Sequence, residues 1–337
     1  MKTLQSLLKF TISLGIGGLL LWLVFKDLNL KELFSRLAYV KYSWIVLSLI
    51  FSLVSHLLRA YRWKLMLEPI GYYPRTMSAF WALMGGYLAN LAFPRLGEVT
   101  RCALLKKTEG IAFPASFGSV IMERIIDILM LLAIIILALT LQFGRISTFF
   151  ADLVFGQNQS AASSSKPAWI FIIMISLVII MVMIWSFWGR IRNTRLYRKI
   201  RPLIGEMING ILSIKKVKNK PLFFTITVLI WILYYLMSYV VVFSVKETSG
   251  LSPLAGLVIL VAGGLGMSAP VQGGFGTYHA FVSSVLILYG ITYQDGVLFA
   301  TLLHTSQFIF ILIVGSISLL ISLLLGRNKT RDESFAK

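Results

Sequence analysis

Apolar residues are grouped along this chain in runs that are long enough to cross a lipid bilayer. A transmembrane helix needs about 20 predominantly apolar residues. Lys26 and Lys31 follow the first run without a small-residue cleavage pattern, so we expect a retained anchor rather than a signal peptide. The pattern predicts six spanning helices, at about residues 7–25, 43–60, 116–143, 168–188, 222–245 and 297–325.

Two further apolar segments, 76–107 and 253–290, are each interrupted near the middle. In both, a pair of glycines is followed by a proline, and a further glycine comes three positions after the proline. We interpret each segment as a hairpin of two short helices with a break between them, which leaves and re-enters the same side of the membrane. The matched positions are Gly85, Gly86, Pro94 and Gly97 in the first segment and Gly263, Gly264, Pro270 and Gly273 in the second.

The order of the predicted elements repeats, with two spans, a hairpin and a span in each half of the chain. We therefore predict an all-α polytopic membrane protein with six spanning helices and two re-entrant helical hairpins in an inverted repeat. The first repeat covers 1–143, an external Ser-rich linker covers 144–167, and the second repeat covers 168–325. Paired, interrupted segments in oppositely oriented halves are typical of the binding site of a transporter. The alternative is two unrelated kinked helices.

Composition and charge define the class of protein and its orientation. The sequence is 58% hydrophobic and 13% charged with a mean hydropathy of +0.84, which excludes a soluble globular domain. The basic loop 189–221 marks the cytoplasmic side, and Arg59 and Arg62 are assigned to the same side as residues that follow the second span. Loop 26–42 is also basic and disagrees with this orientation.

This orientation puts the N-terminus and the tail 326–337 in the cytoplasm. We expect a multi-pass protein of the bacterial cytoplasmic (inner) membrane. The net charge of +19 is concentrated in the basic loop, so it favours a topology signal or the binding of acidic lipid headgroups over nucleic acid.

The stretch "NLAFPRLGEVTR", residues 90–101, places charged residues at the first break. A broken helix at membrane depth leaves backbone groups unpaired, which is tolerated only where protein or a wet cavity surrounds them. The N-terminus of a half-helix and the guanidinium group both suit phosphate. Glu98 either forms an ion pair inside the hairpin or leaves one arginine for a ligand. The candidate substrate-binding residues here are Asn90, Pro94, Arg95, Gly97, Glu98 and Arg101.

The motif "MERIID" puts acidic residues into the third predicted span. Glu123 and Asp127 are four residues apart and share a helix face, with Arg124 beside them. An ionised group at the bilayer centre costs at least ~2.5 kcal/mol and normally faces the bundle interior or a cavity. With Arg101 and Arg124 as partners, the acids form either a structural salt-bridge network or a coupling site for a proton or cation.

The second break carries little charge. Its glycines let the backbone turn and approach a ligand closely. His279 follows them and is either part of the cavity lining or a hydrogen-bonded structural residue, while His304 and Gln307 in the last span are weaker candidates. The candidate substrate-binding residues at this break are Gln272, Gly273, Gly274, Gly276, Tyr278 and His279.

The sequence gives no sign of catalysis or of a cofactor. Cys102 is the only cysteine, which leaves no disulfide or thiol metal cluster. We find no His/Asp cluster at metal-ligand spacing, no nucleophile elbow and no nucleotide loop. We therefore predict no catalytic residue, metal or cofactor, and do not expect an enzyme.

Taken together, these motifs resemble the transmembrane domain of bacterial lysylphosphatidylglycerol synthetases and their stand-alone flippase-like relatives. The resemblance covers nearly the whole chain and implies a lipid translocator that moves aminoacylated phosphatidylglycerol, or related glycolipid or polyprenyl carriers, between leaflets. His279 stands where the family usually has the acid of a Gly-x-x-Glu sequence. No aminoacyl-transferase domain follows Lys337, so we expect that the chain does not aminoacylate lipids by itself.

The leading prediction is a flippase-like translocator of an anionic phospholipid or lipid-linked precursor, whose headgroup is held at the two breaks near the midplane. The alternatives are a membrane enzyme and an accessory scaffold in envelope lipid or glycolipid synthesis. The expected partners are anionic lipids and, in the scaffold case, a lipid-synthesis enzyme. The sequence does not predict the oligomeric state.

Overall fold

The regular secondary structure in the described part of the chain is all helical. The computed structural model describes residues 35–93, 96–144, 219–269 and 271–335, together with 18–26 and a few nearby positions, and it contains no β-strand within them. The helices with described bounds are α1 (Tyr42–Leu67), α2 (Thr76–Ala92), α3 (Leu96–Glu109), α4 (Phe113–Leu141), α5 (Lys220–Tyr239), α6 (Pro253–Ser268), α7 (Thr277–Ile287) and α8 (Tyr293–Phe335).

Four segments of the described chain are long and apolar enough to cross a membrane. They are Tyr42–Ile70, Phe113–Leu141, Lys220–Ser244 and Tyr293–Gly326, and they match four of the predicted spans. Residues 18–25 of the predicted first span are helical. The predicted span 168–188 and nearly all of the linker 144–167 and basic loop 189–221 lie outside the described residues. The fold class is thus confirmed as that of an all-α, multi-pass membrane protein.

Local sequence signals determine where several helices begin. Pro114, Pro221 and Pro253 lie in the first turns of α4, α5 and α6. There the fixed φ of proline suits the helix and its missing N–H costs nothing, because first-turn N–H groups have no partner within a helix. The side chains of Asn219 and Ser252 accept a hydrogen bond from the first turns of α5 and α6.

The helix at the second predicted span, α1, extends beyond the apolar run that predicted it. α1 continues to Leu67, so Arg59 and Arg62 are inside a helix and buried, with 7% and 0% of their surface exposed. The hydropathy pattern placed them after the second span, whereas the structure places them within α1. The charges end the apolar run in the sequence, but α1 continues through them because acids of α4 compensate them.

The helices α2 and α3, which end and begin at Ala92 and Leu96, fold back on each other on either side of the first break. A Cβ atom added to Gly86 would lie 2.7 Å from the carbonyl oxygen of Gly97 and 3.0 Å from the Cβ of Arg101. The two helices therefore touch through their backbones, and a side chain at position 86 would separate them. This contact brings Arg101 against α2.

The helices α6 and α7 form a second pair of the same kind. A Cβ atom added to Gly266 would lie 2.8 Å from the Cα of Tyr278. Between the helices, the backbone reverses through Gly273, Gly274 and Gly276, whose φ angles are +60°, +70° and +80°. Only glycine adopts such angles without strain. The described chain thus contains two hairpins of short helices, each followed by a long helix.

Each hairpin packs against helices from the other half of the chain. α2 and α3 contact α8 of the second half, while α6 contacts α4 of the first half as well as α5 of its own half. At these contacts, Gly315 of α8 approaches Leu88 and Gly264 of α6 approaches Leu131. One buried apolar core surrounds the first hairpin and includes Trp63, Phe80, Leu83, Met84 and Leu105; another surrounds the second and includes Val241, Ile259, Val282, Leu286 and Phe299.

Candidate functional site

A buried ion network joins α1, α3 and α4. Glu123 of α4 is 1% exposed and accepts hydrogen bonds from Arg59 and, at 2.9 Å, from Nη1 of Arg101. Asp127, one turn further along α4, accepts from Nη2 of Arg59 at 3.2 Å and from Nη2 of Arg62 at 2.7 Å. Charge-assisted bonds of this kind are roughly twice as strong as neutral ones. They fix the positions of the three helices around the network.

A further ion pair connects α3 to α4. Nη2 of Arg124 donates to Oε1 of Glu98 at 2.6 Å. The sequence suggested that Glu98 pairs inside its own hairpin and that Arg124 pairs with the acids of α4. The structure instead pairs each residue with the neighbouring helix, Glu98 with Arg124 and Arg101 with Glu123. The expected pairing of Arg101 with Glu123 is confirmed.

The network carries more positive than negative charge. Four arginines face three carboxylates, which leaves one net positive charge when all are ionised. Several buried guanidinium nitrogens have no hydrogen-bond partner among the described residues: Nε of Arg59, Nε and Nη1 of Arg62, and Nε and Nη2 of Arg101. Buried, unpaired donors on a charged group are costly. A phosphate would offer them both charge and acceptor oxygens.

Aromatic side chains cover the arginines. The guanidinium carbon of Arg59 lies 5.7 Å from the centre of the Tyr87 ring, and that of Arg101 lies 5.0 Å from the Trp63 ring. Both distances allow a cation–π interaction. The hydroxyl of Tyr234 on α5 also accepts a hydrogen bond from Nη1 of Arg59 at 2.8 Å. The network is therefore supported by residues from both halves of the chain.

Asn90 bridges the first break. Its Oδ1 accepts a hydrogen bond from the backbone N–H of Gly97 at 2.7 Å, so it satisfies a donor in the first turn of α3. Pro94 and Arg95, which the sequence placed at this break, lie outside the described residues. Pro270 of the second break does as well.

The two breaks contact each other through Gln272. Its Nε2 donates to the carbonyl oxygens of Leu91 at 2.8 Å and Ala92 at 2.6 Å. These carbonyls belong to the last turn of α2, where no intrahelical partner is left for them. The second hairpin thus supplies hydrogen bonds that the first hairpin lacks.

The second break is lined by aromatic rings and histidines. Nε2 of His304, on α8, lies 2.8 Å from the carbonyl oxygen of Gly273. The centre of the His304 ring lies 5.1 Å from that of His279 and 5.0 Å from that of Tyr278. His279 and His304 are 3% and 6% exposed. The structure therefore groups His304, a weak candidate in the sequence, with Tyr278 and His279.

Sequence reasoning missed Arg59 and Arg62 as members of the network. A usable signal was present, because buried serines precede them on one face of α1 at helical spacing, and the polar face continues into the arginines. Its members are Ser48, Ser52, Ser55, Arg59 and Arg62. Elsewhere in the described residues, no three His, Cys, Asp or Glu side chains are grouped as metal ligands would be, and Cys102 is a buried free thiol.

Comparison with known proteins identifies the family. The chain matches the family described as the lysylphosphatidylglycerol synthase TM region over residues 8–315. It is also 25% identical over 122 residues to a UPF0104 membrane protein of Methanocaldococcus jannaschii, in an alignment that covers 35% of this chain and 36% of that protein. No solved structure matches the chain. The described residues contain four segments long and apolar enough to span a membrane, and the family match covers most of the chain, so the chain belongs to the lysylphosphatidylglycerol synthase transmembrane-region family.

Proposed function

We propose that the protein translocates an anionic phospholipid or an anionic lipid-linked precursor between the leaflets of the bacterial cytoplasmic membrane. The observation that carries this proposal is the buried arginine network, which has one net positive charge and unpaired donors and lies beside two broken hairpins. In this proposal the chain has six spans, both hairpins are re-entrant, and both termini are cytoplasmic.

The arginine network supplies the charge for a phosphate headgroup. Arg101 of the first hairpin has two guanidinium nitrogens without a partner, and Arg62 has two more. Planar guanidinium groups bind phosphate oxygens in pairs. The carboxylates of Glu123 and Asp127 hold these arginines in place from one side. An arriving headgroup then completes the hydrogen bonds and balances the net charge at the same time.

The breaks supply backbone groups and a route for movement. The N-termini of α3 and α7 are the positive ends of helix dipoles, which favour an anion, and the first-turn N–H groups of α7 have no intrahelical partner. Gln272 joins the two breaks across the halves of the chain. In an alternating-access cycle one half rocks against the other around a fixed site. The bonds from Gln272 to Leu91 and Ala92 are the contacts that such a motion remakes.

The test is the leaflet transfer of a fluorescent phosphatidylglycerol in proteoliposomes, with a quencher added outside. Arg101→Ala removes one cation at the first hairpin, while Glu123 keeps Arg59 as a partner, so the protein is expected to fold. Loss of charge-assisted bonds worth about 1.5–3 kcal/mol is expected to slow transfer by roughly 10- to 100-fold. Lys106→Ala is the matched control, because Lys106 lies on the same helix and is exposed.

The outcomes separate this function from the two alternatives. Transfer at the wild-type rate by a folded Arg101→Ala variant contradicts the proposed role. To detect any covalent reaction of the lipid, the lipids are also analysed by mass spectrometry after incubation. A changed covalent mass indicates a membrane enzyme. An unchanged mass without transfer, together with a co-purified lipid-synthesis enzyme, indicates a scaffold.

A further inference from the structure

The three histidines of the chain are all buried, and two of them lie together at the second break. His56 is on α1, whereas His279 of α7 and His304 of α8 have ring centres 5.1 Å apart. The Nδ1 atoms of His279 and His304 have no hydrogen-bond partner among the described residues, although these residues are 97% and 94% buried. An unpartnered imidazole nitrogen is unusual in an enclosed site, where most buried polar atoms form a hydrogen bond.

The contact of His304 with the break determines which of its nitrogens is free. A neutral imidazole has one N–H donor and one acceptor nitrogen. Nε2 of His304 lies 2.8 Å from the carbonyl oxygen of Gly273, which only accepts, so Nε2 carries the hydrogen. Nδ1 of His304 is then an unprotonated acceptor without a donor. The pair therefore has a vacant position for one proton.

No carboxylate among the described residues is positioned to stabilise an imidazolium at this place. The described groups around the pair are the Tyr278 hydroxyphenyl ring, the Phe275 ring of the break, and Phe25 of the N-terminal segment, whose neighbour Lys26 lies over the Trp22 ring. The acids on the nearby elements, Glu247 and Asp295, both form ion pairs with Arg36. The positive end of the α7 dipole opposes protonation further, because His279 lies in the first turn of that helix.

An anion at the N-terminus of α7 reverses this balance. α7 has 11 residues and begins after Gly276, so its first-turn N–H groups, which belong to buried residues, have no intrahelical partner. A phosphate bound there supplies the counterion that an imidazolium lacks. Its oxygens accept hydrogen bonds from the imidazolium and from the first-turn N–H groups of α7. The anion and the proton thus favour each other's binding, and this coupling is reciprocal.

We propose that the His279–His304 pair binds one proton together with the anionic headgroup, so that a phosphate-bearing lipid and a proton cross the membrane as a neutral pair. The proton comes from water on the loading side, forms an N–H bond at a free Nδ1, and returns to water when the headgroup leaves. This inference rests on the proposed function and adds the coupling ion to it. It also separates the roles of the two breaks, since Glu123 and Asp127 are already bound by arginines.

The test measures the affinity of the purified protein for fluorescent phosphatidylglycerol between pH 5.5 and 8.5. Uptake of one proton on binding makes the affinity highest at low pH and lowers it by up to about tenfold per pH unit as the pH rises. His279→Gln and His304→Gln are expected to bind the lipid with a flat pH profile. His56→Gln, which removes the third buried histidine, keeps the wild-type slope. A competition with inorganic phosphate distinguishes a lipid headgroup from free phosphate as the ligand.

A second measurement uses the wild-type protein alone, so it does not depend on the folding of a variant. Addition of lipid to weakly buffered protein is expected to remove protons from solution, as followed with a pH-sensitive dye. Binding without proton uptake, or variants with the wild-type pH slope, overturns the inference and leaves the proposed function intact. Absence of phosphatidylglycerol binding and transfer at every pH overturns the proposed function instead.

Discussion

The two breaks of this protein share a backbone design but differ in chemistry. Both are short gaps between helices that touch through glycine, at Gly86 and Gly97 in the first hairpin and at Gly266 in the second. The first is flanked by a network of arginines and acids, whereas described contacts at the second come from histidines and aromatic rings. In the two proposals above, one backbone arrangement serves two tasks, charge compensation at the first break and proton uptake at the second.

The largest effect is expected from Glu123→Gln at the charged break. The substitution leaves Arg59 and Arg101 without their shared acid in the interior. Breaking a buried ion pair in this way costs about 3–5 kcal/mol. Thermal unfolding in detergent is the measurement, with Glu109→Gln at the end of α3 as the control. Equal stability of the two variants would show that the network does not hold the first hairpin.

Substitutions of the contact glycines test whether the two hairpins are equally close-packed. Gly97→Ala and Gly266→Ala each place a methyl group against the backbone of the facing helix, and overpacking of this kind costs about 1–3 kcal/mol. Gly118→Ala is the control, since a Cβ atom there meets nothing within 4 Å. A large loss of stability for only one of the two variants would show that only that hairpin depends on close packing at its glycine. Unfolding in detergent again gives the comparison.

The contact between the breaks is tested by Gln272→Ala. The change leaves the carbonyls of Leu91 and Ala92 without their donor, at a cost of about 1–2 kcal/mol. We expect lower stability and altered lipid transfer, because the contact joins the two halves. Gln294→Ala is the control, as Nε2 of Gln294 has no partner among the described residues. If both variants transfer lipid alike, the breaks work independently.

The smallest effect is expected from Arg36→Ala. Arg36 bridges Glu247 and Asp295 at 2.8 and 2.7 Å, but its side chain is 22% exposed and that of Glu247 is 40% exposed. Ion pairs in contact with water contribute up to about 1 kcal/mol. If Arg36→Ala lost as much stability as Glu123→Gln in the same unfolding assay, burial would not make the arginine network stronger than the partly exposed ion pairs of Arg36.

The breaks were predictable because their signals are local. Proline inside an apolar run interrupts a helix wherever it occurs in the fold, and Pro94 and Pro270 marked the two breaks for this reason. The paired glycines before them do not interrupt a helix, since both pairs lie inside α2 and α6. The fold class followed equally, since repeated apolar runs of bilayer length are typical of membrane-spanning helices.

The side-chain partners could not be read from the sequence. Arg62 reaches Asp127 and Gln272 reaches Leu91 across many residues, and both contacts depend on how the helices are rotated and packed. Arg59 was misplaced because a charge ends an apolar run in a hydropathy pattern, although a paired charge does not end a buried helix. The position of His304 at the second break also depends on helix packing, because α8 packs on α7.

The central claim is that the breaks and the arginine network together bind an anionic headgroup. Native mass spectrometry of the purified protein tests it most directly, with phosphatidylglycerol and phosphatidylcholine of identical chains offered in equal amounts. The account predicts selective retention of phosphatidylglycerol by the wild type and by Lys106→Ala, and its loss in Arg101→Ala. Equal retention of the two lipids by the wild-type protein would contradict it.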